Sequence, residues 1–304
     1  MLCFFTVGGL LMEDNFEFLV DAFLEYMRNN KGSSENTVTN YAVDLAQYAD
    51  FMETQGIAPT QATAKTIRAF LRSLSGFGYA NSSIGRKLSA VKTFELFLLE
   101  SHFISSDPAA SVRSPRMPER LPRAISRESM EKLIEEAWKI KPELRNGTIL
   151  EVMYGCGVRV AEVVSLKWED VDLEERWLKV HGKGDKERLV PFGHVAQEAL
   201  IKWREQCPQD AVYIFQSGDK PITVRTVHRL VVKAAKNAGL ENVTPHSIRH
   251  SFATHMLEGG ASLNVLQELL GHESLLTTQR YLKITPSHLR ESYLAAHPRS
   301  GEEN

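Results

Sequence analysis

Cysteine is scarce in this chain. The three present, Cys3, Cys156 and Cys207, are odd in number and widely spaced, which excludes a disulfide framework and a paired-thiol zinc site and implies a reducing compartment. A cytoplasmic location is the expectation. Long apolar runs are missing too: the opening MLCFFTVGGLLM has 12 residues, against the roughly 20 that a membrane-spanning helix needs. It also lacks the basic flank and small-residue cleavage signature of a secretory signal, and reads as an upstream extension with Met12 as the functional start. The histidines come without HExxH spacing, so no metal site is expected.

A dominant charge of either sign is also absent, the formal net charge being -2, but the balance hides two opposed stretches. Residues 13–59 carry nine acidic side chains against two basic ones, and residues 60–120 carry nine basic against four acidic. Such a basic stretch is either a solvated face or a surface for a polyanion, and composition does not choose between them. A hydrophobic fraction of 43% puts the chain among globular proteins, and 304 residues are long for one core and comfortable for two.

The first domain, expected over residues 13–106, reads as all helical. Phe16, Leu19, Val20, Phe23, Leu24 and Met27 follow the three- and four-residue spacing of an amphipathic helix that ends near Lys31 and Gly32. A second helix follows the Ser34–Thr37 cap region and carries Val38, Tyr41, Leu45 and Tyr48, and a third covers Ala64 to Ser73. A fourth runs from Ser83 to Glu100, with Ile84, Leu88, Val91, Phe94 and Leu98 inward and Arg86, Lys87 and Lys92 off that stripe. The four make a helical bundle. Residues 107–123, DPAASVRSPRMPERLPR, hold four prolines and no periodicity, so an extended linker is predicted, with Arg116 and Arg120 as a strap for a polyanion.

The second domain, residues 124–298, opens with Ser126 as a helix cap before Met130, Leu133, Ile134 and Ala137. RWLKVHGKGDKERLVPF alternates about a glycine-rich turn and predicts a β-hairpin. Helical patterns return over Val195–Trp203, Val224–Asn237, Pro245–Glu258 and Ser262–Leu270. After Thr285, Leu289, Tyr293, Leu294 and Ala296 fall near one face of a short helix, expected to be an exchange element hosted by a neighbouring subunit.

The residue types fit cleavage of a phosphodiester through a protein hydroxyl, which needs a nucleophile, cations fixed on the non-bridging oxygens and an acid for the leaving oxygen. Tyr281 in TTQRYLKIT is the candidate nucleophile. Arg159 in YGCGVRVAEVVSL and Arg249 in HSIRHSFATH are the candidate cations, guanidinium being planar and able to grip phosphate twice. Glu162, one turn after Arg159, could equally make that arginine half of a structural pair. His246 shares a helix face with Arg249 and could relay the tyrosine proton, or only cap its own helix. Lys183 at the hairpin turn is either surface decoration or the acid, with Lys186 and Arg188 beside it as backbone contacts. His272, after Gly271, is either a helix cap or a donor to a non-bridging oxygen.

Read in order, Arg159, Lys183, His246, Arg249, His272 and Tyr281 resemble the full catalytic set of the tyrosine recombinase family, over essentially Asn15 to His297. The resemblance implies a mainly α protein: an N-terminal four-helix core-binding (SAM-like) DNA clamp, and a mostly helical catalytic domain with a small antiparallel β-sheet. It implies that Tyr281 forms a 3′-phosphotyrosyl bond, that Arg159, Arg249 and His272 stabilise the transition state, that Lys183 is the general acid and that His246 assists proton transfer. Arg86, Lys87, Lys92, Arg116, Arg120, Lys186 and Arg188 are the candidate DNA contacts. Family members act without metal or nucleotide as tetramers, of one or two kinds of subunit, on two synapsed duplexes. The wording GCGVR, HSIRHSFATHML and LLGHES is most similar to the Xer recombinases that resolve chromosome dimers, with Val158 and Leu282 departing from the usual leucine and threonine. A phage or transposon integrase and a catalytically silent DNA-binding protein stay open as alternatives, as does a DNA translocase as accessory partner.

Overall fold

Apolar residues repeating every three or four positions drive the first elements together. In a computed structural model, which describes residues 6–7, 10–11, 15–29, 33, 35–115, 124–182, 186–271 and 284–301, the chain divides into two units, Met1–Glu119 and Arg120–Asn304. The first holds α1 (Phe16–Asn29), α2 (Glu35–Thr54), α3 (Ala64–Gly76) and α4 (Asn81–Glu100). Their inward stripes, including Phe23, Leu45, Phe70 and Phe94, form one core. Thr63 caps α3, its hydroxyl accepting from the Thr66 N–H at 3.2 Å. An antiparallel pair, β1 (Thr6–Val7) with β2 (Leu10–Leu11), precedes the bundle and is too short for sequence alternation to reveal.

Two expectations for this unit are corrected. Lys87 does not face solvent: it is 3% exposed, and its Nζ lies 2.8 Å from Oδ1 of the fully buried Asp44, which Arg86 also contacts. A cation enclosed this way neutralises a core carboxylate and is not available to a phosphate. Nor is the stretch from Asp107 extended from its start. Asp107 accepts the Ala109 N–H at 2.7 Å, and Ala109 and Val112 pack into the first core.

In the second unit, Ser126 caps α5 (Arg127–Trp138) by accepting the Ser129 N–H. α6 (Glu143–Cys156) is buried without interruption from Asn146 to Cys156, so it shows no amphipathic stripe and left no periodic signal to read. Gly147 lets α6 pass beneath Trp138, since a Cβ there would meet the indole ring at 2.0 Å. Beyond it come the short α7 (Val160–Ser165) and a three-stranded antiparallel sheet of β3 (Val171–Asp172), β4 (Trp177–His181) and β5 (Glu187–Pro191). The expected hairpin is β4 with β5, pairing Val180 with Arg188 and His181 with Glu187.

α8 (His194–Arg204), the two-residue strands β6 (Gln216–Ser217) and β7 (Lys220–Pro221), α9 (Val224–Asn237), α10 (Pro245–Glu258) and α11 (Leu263–Leu270) complete the unit with α12 (Pro286–Ala296). Among the described residues no helix is long and apolar enough to cross a membrane.

Within the single chain, α12 packs on its own unit. Leu289, Tyr293 and Ala296 are buried, and the Tyr293 hydroxyl donates to the Gly155 carbonyl at 2.8 Å. The Tyr293 ring stacks on His297, and Arg299 binds Glu151 at 2.6 Å and 3.0 Å. Gly259 admits this packing, since a Cβ there would lie 2.1 Å from the Ala296 carbonyl oxygen. The apolar face thus finds its partner within the chain.

Two measurements check these placements. Lys87→Met should lower the unfolding free energy by on the order of 3 kcal/mol in urea, the scale for breaking a buried ion pair, whereas Lys92→Met should change it by under about 0.5 kcal/mol. Equal, small effects would return Lys87 to the surface. Tyr293→Ala should cost about 3–5 kcal/mol in the isolated monomer. A tail that served only a neighbouring subunit would leave monomer stability untouched.

Candidate active site

The site begins where α6 stops. Gly157 ends that helix with a left-handed φ of 59°, and a Cβ there would sit 2.3 Å from the Phe252 ring, so only glycine makes the turn. The turn delivers Arg159 to the position preceding α7. Glu162, in the first turn of α7, accepts the Arg159 backbone N–H at 2.6 Å and its Nη1 at 2.7 Å. The structural pairing expected for Glu162 is therefore present.

Two more arginines converge on the same carboxylate. Arg188, from β5, donates Nη1 and Nη2 to its two oxygens, each at 2.9 Å, in the two-pronged geometry that guanidinium favours. Arg249, from α10, holds Nη1 3.9 Å from Oε2. Glu162 is 5% exposed. Burial alone would raise its carboxyl, but hydrogen bonds from the Arg188 side chain and the Arg159 backbone outweigh that and hold it at about 2. It is ionised throughout the neutral and mildly acid range.

The three guanidiniums also meet the end of α11. Arg188 Nε donates to the Leu269 carbonyl at 2.8 Å, Arg249 Nη2 to Leu270 at 2.7 Å, and Arg159 Nη2 lies 3.5 Å from the Gly271 oxygen. These are the carbonyls that a helix leaves unpaired, at the negative end of its dipole. Arg249 Nη1 donates to the Gly157 carbonyl at 2.7 Å. Burial, then the neighbouring Arg159, lower the Arg249 guanidinium to about 10, so it still carries its charge at neutral pH. Among the described residues the three cations share one side-chain anion, and the side chain of Arg159 is 42% exposed.

The structure brings Arg159 and Arg249 together and adds Glu162 and Arg188. His246 stands exposed in the first turn of α10, where Thr244 accepts the Ser247 N–H and does the capping in its place. His255 belongs to the core, 2.7 Å from the Tyr154 hydroxyl. Lys186 is exposed, next to the hairpin's closing bond from the Gly182 N–H to the Lys186 carbonyl at 2.7 Å. Lys183, His272 and Tyr281, with Arg116 and Arg120, lie outside the described residues. The reading of Arg188 as a backbone contact is corrected: its side chain is 8% exposed and committed to Glu162 and Leu269. No local spacing joins Arg188 to Glu162, so only the fold reveals the pair. Exposed Lys65, Arg68 and Arg72 on α3 form a basic face that was not among the candidate contacts.

Among the described residues no three His, Cys, Asp or Glu side chains cluster as a metal site would need. Residues 123–288 match the phage integrase family, and residues 20–102 match the phage integrase N-terminal SAM-like domain. The chain is 38% identical to tyrosine recombinase XerC of Halalkalibacterium halodurans, over 92% of this chain and 97% of that one. It is 33% identical to tyrosine recombinase XerD of Oceanobacillus iheyensis, over 93% and 99%. Its fold is similar to that of a lambda integrase (75-356) dimer bound to a COC′ core site, with a TM-score of 0.69 at 21% identity, over 88% of this chain and 99% of that one. A helical SAM-like unit, a catalytic unit centred on converging arginines and these relatives lead to one conclusion: the chain belongs to the phage integrase family of tyrosine recombinases, among the Xer proteins.

Proposed function

We propose that this chain is a site-specific recombinase of the Xer type, which cuts and rejoins duplex DNA without metal or nucleotide. The observation that carries the reading is the cation surplus around Glu162, with Arg159 and Arg249 side by side and Arg159 half exposed. A phosphodiester supplies the missing anion.

In this reading Arg159, Arg249 and His272 hold the non-bridging oxygens while the Tyr281 oxygen attacks phosphorus. A 3′-phosphotyrosyl bond forms, and the bond to the 5′ oxygen breaks. Lys183 gives the leaving oxygen its proton, and His246 assists transfer of the tyrosine proton. A 5′ hydroxyl from another strand then reverses the step, so the bond energy is conserved and no cofactor is required. The exposed bases of α3, Lys65, Arg68 and Arg72, together with Arg86, Lys92, Arg116, Arg120 and Lys186, grip the phosphate backbone. The working assembly is a tetramer on two synapsed sites in the cytoplasm, resolving chromosome dimers, with a DNA translocase as accessory partner. The catalytic domain spans residues 124–298 and the clamp residues 13–106, and the connecting residues 107–123 begin with a stretch that packs on the clamp through Ala109 and Val112.

The test is covalent trapping on a nicked duplex selected by the protein from random-sequence DNA. Wild-type protein should give an adduct that survives denaturing electrophoresis, and Tyr281→Phe should bind with nearly unchanged affinity but give none. An adduct that persists would assign the attack to another group. Lys183→Ala should slow cleavage by about two to four orders of magnitude, and sulfur at the 5′ bridging position should restore it, because a thiolate leaves without a proton. Absence of that rescue would remove Lys183 from the acid role.

A further inference from the structure

Arg188 stands beside the two arginines that the reaction uses, yet it faces inward. It joins two things: the carboxylate to which Arg159 is tied, and the last turn of α11, beyond which the sequence runs on to His272 and Tyr281. Building on the proposed recombinase reaction, we propose that Arg188 is a positioning residue for strand cleavage, keeping Glu162 as a charged anchor for Arg159 and tying that anchor to the end of α11.

Arg188 compensates a charge that the fold has buried. Among the described residues the charged groups facing Glu162 are Arg159 from the start of α7, Arg188 from β5 and Arg249 from α10. Of these, Arg188 alone contacts both carboxylate oxygens through its side chain, and its own side chain is nearly as buried as the glutamate. An isolated buried carboxylate is costly and protonates to escape that cost. Without Arg188, Glu162 keeps the two bonds from Arg159 but loses the pair that most offsets its burial, and the Leu269 carbonyl loses its donor. Lysine, a point charge, cannot reproduce two parallel bonds to the carboxylate and a third to a carbonyl.

The consequence has a sign. In the wild type the carboxyl, held at about 2, stays charged throughout the neutral and mildly acid range. In Arg188→Met it should titrate higher, so Glu162 becomes neutral as pH falls through that raised value, and Arg159 loses its anchor.

The experiment measures single-turnover cleavage of the selected nicked duplex from about pH 5.5 to about 8.5, for wild type, Arg188→Met and Arg188→Lys. DNA affinity is measured in parallel, and the Glu162 carboxyl is followed by carbon-13 NMR in DNA-free protein. Arg188→Met should bind DNA within about threefold of wild type and cleave up to about 100-fold more slowly, the scale of a small misplacement of a reacting group. That loss should deepen toward acid in step with a raised Glu162 titration, and Arg188→Lys should rescue it only in part. A wild-type rate, or a Glu162 titration unmoved by the substitution, would overturn the role of Arg188 while leaving the recombinase reading intact. A wild-type protein that forms no adduct would overturn the recombinase reading itself.

Discussion

The catalytic unit is organised around one buried carboxylate. Glu162 gathers Arg159, Arg188 and Arg249 from three separate elements, and like charges at that density would repel without it. One glutamate cannot neutralise three guanidiniums. The carbonyls at the end of α11 add to the compensation by their dipoles, and the Arg159 side chain stays 42% exposed. The structure thus holds the cations close without quenching them, which is the condition for stabilising a phosphoryl transition state.

That arrangement leans on the core beneath it. The Tyr293 hydroxyl donates to the carbonyl of Gly155 in the last turn of α6, and Arg249 donates to the carbonyl of Gly157 just after it, so the docked C-terminal helix and a site arginine both fasten the end of α6. Burial holds His297 neutral, at about 3, with its ring packed among Tyr154, Phe252 and Tyr293, its Nε2 3.3 Å from the Tyr154 carbonyl and its Nδ1 accepting the Arg299 N–H at 3.1 Å. The tail is part of the catalytic unit's core, and its packing contributes to the position of the arginine turn.

Much of this could be read from the sequence where the physics is local. Four helices of the first unit, the hairpin about Gly182, and α9 through α12 follow from apolar spacing, caps and glycines. The missed helices left no periodic signal: α6 is buried on every side, polar Asn146, Thr148 and Glu151 included, and α7 is too short for a period to register. The errors at individual residues arise the same way. Lys87 and Arg188 look like surface cations in any one-dimensional reading, because their anions, Asp44 and Glu162, come from distant positions. The resemblance singled out Arg159 and Arg249 together, and the fold places them side by side. What composition could not supply was which cations are spent inside the protein and which are free to meet a phosphate.

The most direct test of that division is a crystal structure of the protein with its site DNA and orthovanadate bridging the cleaved ends. Arg159 and Arg249 should each lie about 3 Å from vanadate oxygens, with Arg188 still paired to Glu162. Vanadate held elsewhere, or an Arg188 that has left Glu162 to grip it, would contradict the account.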